Sequence, residues 1–138
     1  MAQSEIICAS VRERLSKAGI RETRQRIMLG SLLWKGDGCR HVTAEQLHQE
    51  AVEAGMRVSL ATVYNTLHQF TEVGLLRHIM LNGGRCYFDT NMEPHHHFLN
   101  EKTGYIEDIP AHLIDIKGIP SPTCGAKIDA VDVIIRIR

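Results

Sequence analysis

The sequence lacks an apolar segment long enough to cross a bilayer. Its longest apolar stretch, Ile27–Leu33, is interrupted and well short of the roughly 20 apolar residues that a membrane helix needs. The N-terminal region carries Glu5 and shows no basic stretch followed by an apolar core, so no secretory signal is predicted. We therefore expect a cytoplasmic protein with no membrane contact, built from one or two small domains.

Paired cysteines are also absent. The four cysteines, Cys8, Cys39, Cys86 and Cys124, are scattered and form no CxxC. A secreted disulfide framework and a four-cysteine zinc site both need closer spacing. Reduced thiols and no four-cysteine structural zinc are expected.

The chain has no net charge overall, but the charge is unevenly spread. Residues 1–88 carry 11 Lys and Arg against 8 Asp and Glu, whereas residues 89–138 carry 5 against 8. A basic first half is compatible with a surface that faces phosphate groups.

Helical patterns fill the first half. Apolar residues recur at helical spacing over residues 4–18, and Thr23 is a candidate cap for a second helix. A third helix is predicted from Thr43 to Gly55. Ser59 is the N-cap candidate of a fourth helix.

The period then changes from helix to strand. Leu75–Leu81 and Arg85–Asp89 flank Asn82-Gly83-Gly84, which is typical of a β-hairpin. Helices followed by a hairpin, with the short connection Gly55–Val58 before the last helix, indicate a winged helix-turn-helix. Ser59–Val73 is then the recognition helix.

The remainder reads as short strands after the polar stretch Thr90–Pro94. The strands are predicted at His95–Leu99, Gly104–Ile109 and Val131–Arg138. Three strands in about 45 residues bury too little surface to stand alone, so we expect a homodimer.

The predicted fold class is α+β. It comprises a winged-helix DNA-binding domain over residues 1–89, a hinge over 90–94 and a small α/β dimerisation domain over 95–138.

Three consecutive histidines follow Pro94. On a strand His95 and His97 point to one face and His96 to the other. Two imidazoles on one face suit chelation of a divalent cation, whereas a solvated or hydrogen-bonded polar edge is the alternative interpretation.

Several runs resemble the ferric uptake regulator superfamily over roughly residues 15–109. The most specific is Ala61-Thr62-Val63-Tyr64 in this order. The runs that carry the resemblance are Gly19–Arg26, His41–Leu47, Ser59–Leu67 and Gly74–Leu76.

The resemblance implies metal ligands at the hinge between two domains, spaced as in the peroxide-sensing branch of the superfamily. The matching residues are His41, Asp89, His95, His97 and Asp108. Nitrogen and oxygen ligands of this kind suit Fe(II) or Mn(II) better than a structural zinc, and the choice among Mn, Fe and Zn stays open.

The sequence departs from the superfamily where a second metal would bind. Asn100–Thr103 stands where most members have CxxC, Cys124 has no partner, and Pro110–Asp129 replaces a long helix. With these departures the sequence resembles the iron response regulator (Irr) branch of the superfamily. That resemblance implies haem binding through His95, His96 and His97, as well as partnership with the haem-biosynthetic machinery. The Cys-Pro haem motif of some members is lacking, because Ala9 follows Cys8.

DNA contacts are expected near the start of the recognition helix, the part that meets base edges. Tyr64 suits a thymine methyl and Asn65 suits adenine. Arg21 resembles the basic residue that family members place in an AT-rich minor groove. The predicted contacts are Arg21, Ser59, Thr62, Tyr64 and Asn65.

Three functional hypotheses follow. The first is a repressor that binds AT-rich operator DNA as a dimer and is released by haem. The second is a metal-dependent peroxide-sensing repressor. The third, a metallohydrolase, is disfavoured because the chain has no HExxH and no evident general base near the histidines.

Overall fold

The computed structural model describes residues 2–36, 38–81 and 83–138. The chain divides into two compact units, Met1–Met92 and Glu93–Arg138. Among the described residues, the elements of the first unit are α1 (Ala2–Lys17), α2 (Arg24–Leu33), β1 (His41–Val42), α3 (Ala44–Glu53), α4 (Leu60–Glu72), β2 (Arg77–Met80) and β3 (Cys86–Asp89). Those of the second are β4 (His95–Asn100), β5 (Ile106–Pro110), a 3-10 turn (Ala111–Leu113) and β6 (Ile134–Ile137).

The apolar stripes that predicted the helices form the core of the first unit. Leu29 of α2, Leu47 of α3 and Phe70 of α4 are fully buried in one cluster. At about 25 cal/mol for each Å² of apolar surface removed from water, burial of such side chains is the main force that holds these helices together.

Side-chain caps set where α3 and α4 begin. The Thr43 hydroxyl accepts the Gln46 N–H at 3.1 Å, and the Gln46 side chain accepts the Thr43 N–H at 2.9 Å. At α4 the Ser59 hydroxyl accepts the Thr62 N–H at 3.1 Å. Each cap satisfies a backbone donor that the helix leaves unpaired.

The connection between α3 and α4 has the predicted helix-turn-helix form. Gly55 ends α3 with φ of 86°, a conformation that residues with a Cβ rarely adopt. The His48 ring donates to the Val58 carbonyl at 2.9 Å and so ties α3 to this turn. The helix predicted over Ser59–Val73 is confirmed as α4, because these two residues are its caps.

The predicted hairpin forms a three-stranded sheet with an additional strand. β3 pairs antiparallel with β2 and, on its other side, with the unpredicted β1. β2 begins later than expected because the Leu75 N–H closes α4 by bonding to the Phe70 carbonyl at 2.8 Å. The Leu81 N–H donates to the Arg85 carbonyl at 2.8 Å, and the turn residue Asn82 lies outside the described residues.

The second unit is a small mixed sheet in the order β5-β4-β6. β4 runs antiparallel to β5 and parallel to β6. β6 is shorter than the strand predicted over Val131–Arg138, because the residues that pair with β4 are Ile134–Ile137. No described helix is long and apolar enough to cross a membrane.

Candidate metal centre and nucleic-acid interface

His41 and Asp89 form an acid–imidazole pair in the first unit. Because β1 pairs with β3 in the register His41↔Asp89, both side chains lie on the same face of the sheet. His41 Nε2 lies 3.3 Å from Asp89 Oδ2. The other carboxylate oxygen of Asp89 accepts the Asn91 N–H at 2.9 Å, which holds the carboxylate in this orientation.

His95, His97 and Asp108 form a second group in the second unit. His97 pairs with Asp108 across β4 and β5, and the His95 ring lies on the same face, 4.5 Å from the His97 ring. Asp108 Oδ1 lies 3.5 Å from His95 Nε2 and 3.4 Å from His97 Nε2. One carboxylate oxygen therefore faces two imidazole nitrogens, and both rings are at most 5% exposed.

The orientation of His95 determines which of its two ring nitrogens could ligate a metal ion. Its Nδ1 bonds to the Glu93 carbonyl, which can only accept, so Nδ1 carries the hydrogen. Its Nε2 lies toward the Asp108 carboxylate. In the neutral ring this nitrogen would bear the lone pair that could bind a cation, and this carbonyl-held tautomer is the usual one for a metal-ligating histidine.

His96 lies on the opposite face of β4 from its two neighbours. Its Nδ1 accepts the Val133 N–H at 3.1 Å, and the ring is 6% exposed. His96 therefore holds the chain just before β6 against β4. To ligate haem iron through Nε2, the neutral ring would have to change tautomer and lose this hydrogen bond.

The donor sets fit a divalent cation. Nitrogen and oxygen ligands lie about 2.1 Å from such an ion, so neighbouring ligands are separated by about 3.0–3.4 Å. Two of the three separations, 3.3 and 3.4 Å, lie in this range, and the third, 3.5 Å, lies just above it. Charge-assisted hydrogen bonds are shorter than all three. The structure thus groups the five predicted ligands as two in the first unit and three in the second.

The predicted DNA-contact residues lie on or beside the N-terminal half of α4, except Arg21. The hydroxyls of Ser59 and Thr62 bond to each other at 2.9 Å as part of the cap. Tyr64 is 46% exposed, and Asn65 is exposed. Arg21 has an exposed side chain in the segment before α2, and its carbonyl accepts Arg26 Nη1 at 2.6 Å.

Sequence reasoning missed two features of the site. Strand β1 consists only of His41 and Val42, too short for any periodic signal, yet its pairing places His41 opposite Asp89. His68 was also missed: its ring contacts Tyr64 and Phe88 at centroid distances of 4.4 and 5.5 Å. The spacing of four residues from Tyr64 on one helix was the available signal.

Cys86 on β3 is not suited to metal ligation or redox chemistry. Burial raises the pKa of its thiol above the ordinary value, which disfavours the thiolate that both reactions need.

Comparison with known proteins agrees with this architecture. Residues 17–135 match the model of the ferric uptake regulator family. The chain is 32% identical over 87 residues to the ferric uptake regulation protein of Vibrio parahaemolyticus and 35% identical over 85 residues to that of Shigella flexneri. These matches cover 63% and 62% of this chain, and 58% and 57% of the two relatives.

The fold is similar to that of the ferric uptake regulator of Pseudomonas aeruginosa, solved with manganese. The TM-score is 0.70 at 25% identity, and the match covers 93% of this chain and 96% of that one. Because the family model spans most of the sequence, the chain belongs to the ferric uptake regulator family.

Proposed function

We propose that the protein is a transcription regulator that binds duplex DNA as a homodimer and whose affinity depends on a divalent cation. The observation that carries this proposal is the convergence of His95 Nε2 and His97 Nε2 on one carboxylate oxygen of Asp108, at 3.5 and 3.4 Å, with the His95 ring held by the Glu93 carbonyl. The ion-binding residues are His41, Asp89, His95, His97 and Asp108.

A bound cation would supply the positive charge that lets these buried and partly buried carboxylates and imidazoles stay close together. Asp89 keeps its orientation through the Asn91 N–H, and His95 keeps its tautomer through the Glu93 carbonyl. The family resemblance favours one ion shared by the two ligand groups, which predicts one ion per chain. Mn²⁺ and Fe²⁺ suit the mixed nitrogen and oxygen set, and the Pseudomonas relative was solved with manganese.

The DNA-binding proposal rests on the winged helix of the first unit. The N-terminal half of α4 exposes Tyr64 and Asn65, which suit thymine and adenine in the major groove. Exposed Arg21 suits the narrow minor groove of AT-rich DNA. The regulator is thus proposed to prefer AT-rich operators and to work in the cytoplasm, where such DNA lies.

Dimerisation is proposed through the second unit. Its apolar interior is small, with Leu99, Ile106 and Ile109 as its buried hydrophobic residues in the described chain. Its edge strand β6 exposes Ile135 and Ile137. A second copy that covers this edge would pair its free backbone groups and bury these side chains.

Release from DNA by haem, as in the Irr branch, is the first alternative to regulation by a divalent cation. It requires His95, His96 or His97 to leave its buried place, because all three are at most 6% exposed. Haem binding is therefore expected to disrupt β4 and its contact with Val133. Peroxide sensing is the second alternative, and it predicts that peroxide, which is itself reduced, oxidises His41 or His95 in a reaction that bound Fe²⁺ would catalyse.

The deciding experiment is a titration of operator affinity with Mn²⁺, Fe²⁺ and haem. The duplex is first selected from a random library with the Mn²⁺-loaded protein. We expect one Mn²⁺ per chain and binding that EDTA abolishes, with both lost in His97→Ala and kept in His112→Ala, an exposed histidine outside the ligand set.

Three outcomes discriminate among the alternatives. A Soret band that rises as DNA is released supports the haem trigger. Irreversible release by peroxide, with added mass on a ligand histidine, supports the sensor. No preference of the loaded dimer for the selected duplex over random DNA at physiological salt contradicts the proposal.

A further inference from the structure

Three aromatic rings form a compact cluster on the DNA-facing side of the first unit. Tyr64 lies 4.4 Å from His68 between ring centroids, and His68 lies 5.5 Å from Phe88 in an edge-to-face arrangement. Tyr64 and Phe88 are 6.4 Å apart, also edge-to-face. We call Tyr64, His68 and Phe88 the ring cluster.

The members of the ring cluster differ in how firmly they are held. Phe88 is fully buried, and its strand pairs with β1 on one side and β2 on the other. Tyr64 is nearly half exposed. His68 is partly buried, lies one helical turn after Tyr64 and contacts both other rings. The ring of His68 therefore links an exposed side chain to a fixed part of the core.

An exposed tyrosine on a helix samples several rotamers in the absence of neighbours. A ring packed against its inner side restricts that freedom before DNA arrives. Contacts made by a side chain already in place lose less conformational entropy on binding, so they contribute more to affinity. Packing of this kind affects sequence-dependent base contacts and leaves phosphate contacts unchanged.

We propose that His68 is a positioning residue that sets the sequence specificity of α4 by holding the Tyr64 ring against the groove. The proposal rests on the DNA-binding function proposed above. His68 acts through Tyr64 and through ring packing, so a phenylalanine at position 68 replaces it and an alanine does not.

The test measures binding to two duplexes at fixed salt with the Mn²⁺-loaded dimer. One is the duplex selected with the wild-type protein, and the other is a scrambled duplex of the same composition. In a second series each thymine of the selected duplex is replaced in turn by deoxyuridine, which lacks only the methyl group. The variants are His68→Ala, His68→Phe and the matched control Glu72→Gln, four residues further along α4 and exposed.

We expect His68→Ala to bind the selected duplex about three- to tenfold more weakly, the range typical of losing one aromatic contact. Binding to the scrambled duplex and its salt dependence stay unchanged. The wild-type protein is sensitive to deoxyuridine at one thymine in each half-site, and His68→Ala loses that sensitivity. His68→Phe and Glu72→Gln keep both the affinity ratio and the sensitivity.

The inference is overturned if His68→Ala retains the wild-type ratio and thymine sensitivity, or if His68→Phe behaves like His68→Ala. Should His68→Ala fail to fold by circular dichroism, NMR of the wild-type protein decides. Tyr64 ring protons without nuclear Overhauser contacts to the His68 ring would then overturn it. A wild-type protein that does not distinguish the two duplexes instead overturns the proposed DNA-binding function.

Discussion

The two units reach stability by different means. The first buries a continuous apolar cluster drawn from four helices and two strands. The second buries three histidines beside only a few aliphatic side chains and leaves apolar residues of β6 exposed. The first unit thus resembles an ordinary small domain, whereas the second has only a small apolar interior. Polar groups are costly to bury in such an interior, and the ion and the second copy of the chain that we propose would add stability to it.

Removing the largest core side chain of the first unit should have the largest effect. Phe70→Ala is expected to destabilise this unit by about 3–5 kcal/mol, because Phe70 is fully buried. The sole tryptophan, Trp34, packs against Phe70 with ring centroids 5.5 Å apart and reports this unit by fluorescence. Urea unfolding followed through Trp34 measures the loss. A loss below 1 kcal/mol would contradict the description of this unit as self-sufficient.

Metal loading should affect the second unit most. Mn²⁺ at 100 times its Kd is expected to stabilise the native state by about 2.7 kcal/mol. Hydrogen exchange should show the effect first in the amides of β4, which carries two of the ligands. EDTA reverses the protection, and His97→Ala removes it. Equal protection of the α4 and β4 amides would indicate that the two units do not differ in this respect.

Close packing of α1 on α2 should make Gly30→Ala destabilising, although alanine normally favours a helix. A Cβ at Gly30 would lie 2.6 Å from Val11 Cγ1, and Val11 is fully buried. We expect a loss of about 1–3 kcal/mol by thermal unfolding. Gly38→Ala is the control, since a Cβ there meets nothing within 4 Å. A Gly30→Ala variant as stable as the control would show that this core can adjust.

The smallest expected effect is the acid sensitivity of the β4–β6 pairing. Glu101 accepts hydrogen bonds from Arg136 at 3.2 Å and Arg138 at 3.0 Å, which lower the pKa of its carboxyl below the ordinary value. A lowered native pKa means that this contribution is complete above the unfolded-state value and is lost as the pH falls through the native one. The protection of the β6 amides from hydrogen exchange, measured relative to the unfolded chain at each pH, should show this loss.

Glu101→Gln provides the comparison for this effect. In this variant the β6 amides should already be less protected from hydrogen exchange at neutral pH than in the wild-type protein. Their protection should change little further on acidification, because residue 101 then has no carboxylate to protonate. Identical pH profiles in the two proteins would assign the acid effect to other groups.

How much could be predicted depended on whether a feature is local in the sequence. Thr23 and Ser59 are followed by helical periodicity, so both caps could be predicted, and the His95–His97 alternation follows from strand pleating. Strand ends were less well predicted. Leu75 has the composition of a strand residue, yet its N–H completes the end of α4.

The sequence by itself determined the helices and the hairpin, because caps and periodicity are local properties. Its resemblance to the ferric uptake regulator superfamily indicated the family and implied the five candidate ligands. Only the tertiary structure decided that β1 places His41 opposite Asp89, that His96 bonds to Val133, and that the rings of Tyr64, His68 and Phe88 come into mutual contact. Those relations join residues distant in the chain, and strand register and packing, which no short stretch of sequence specifies, bring them together.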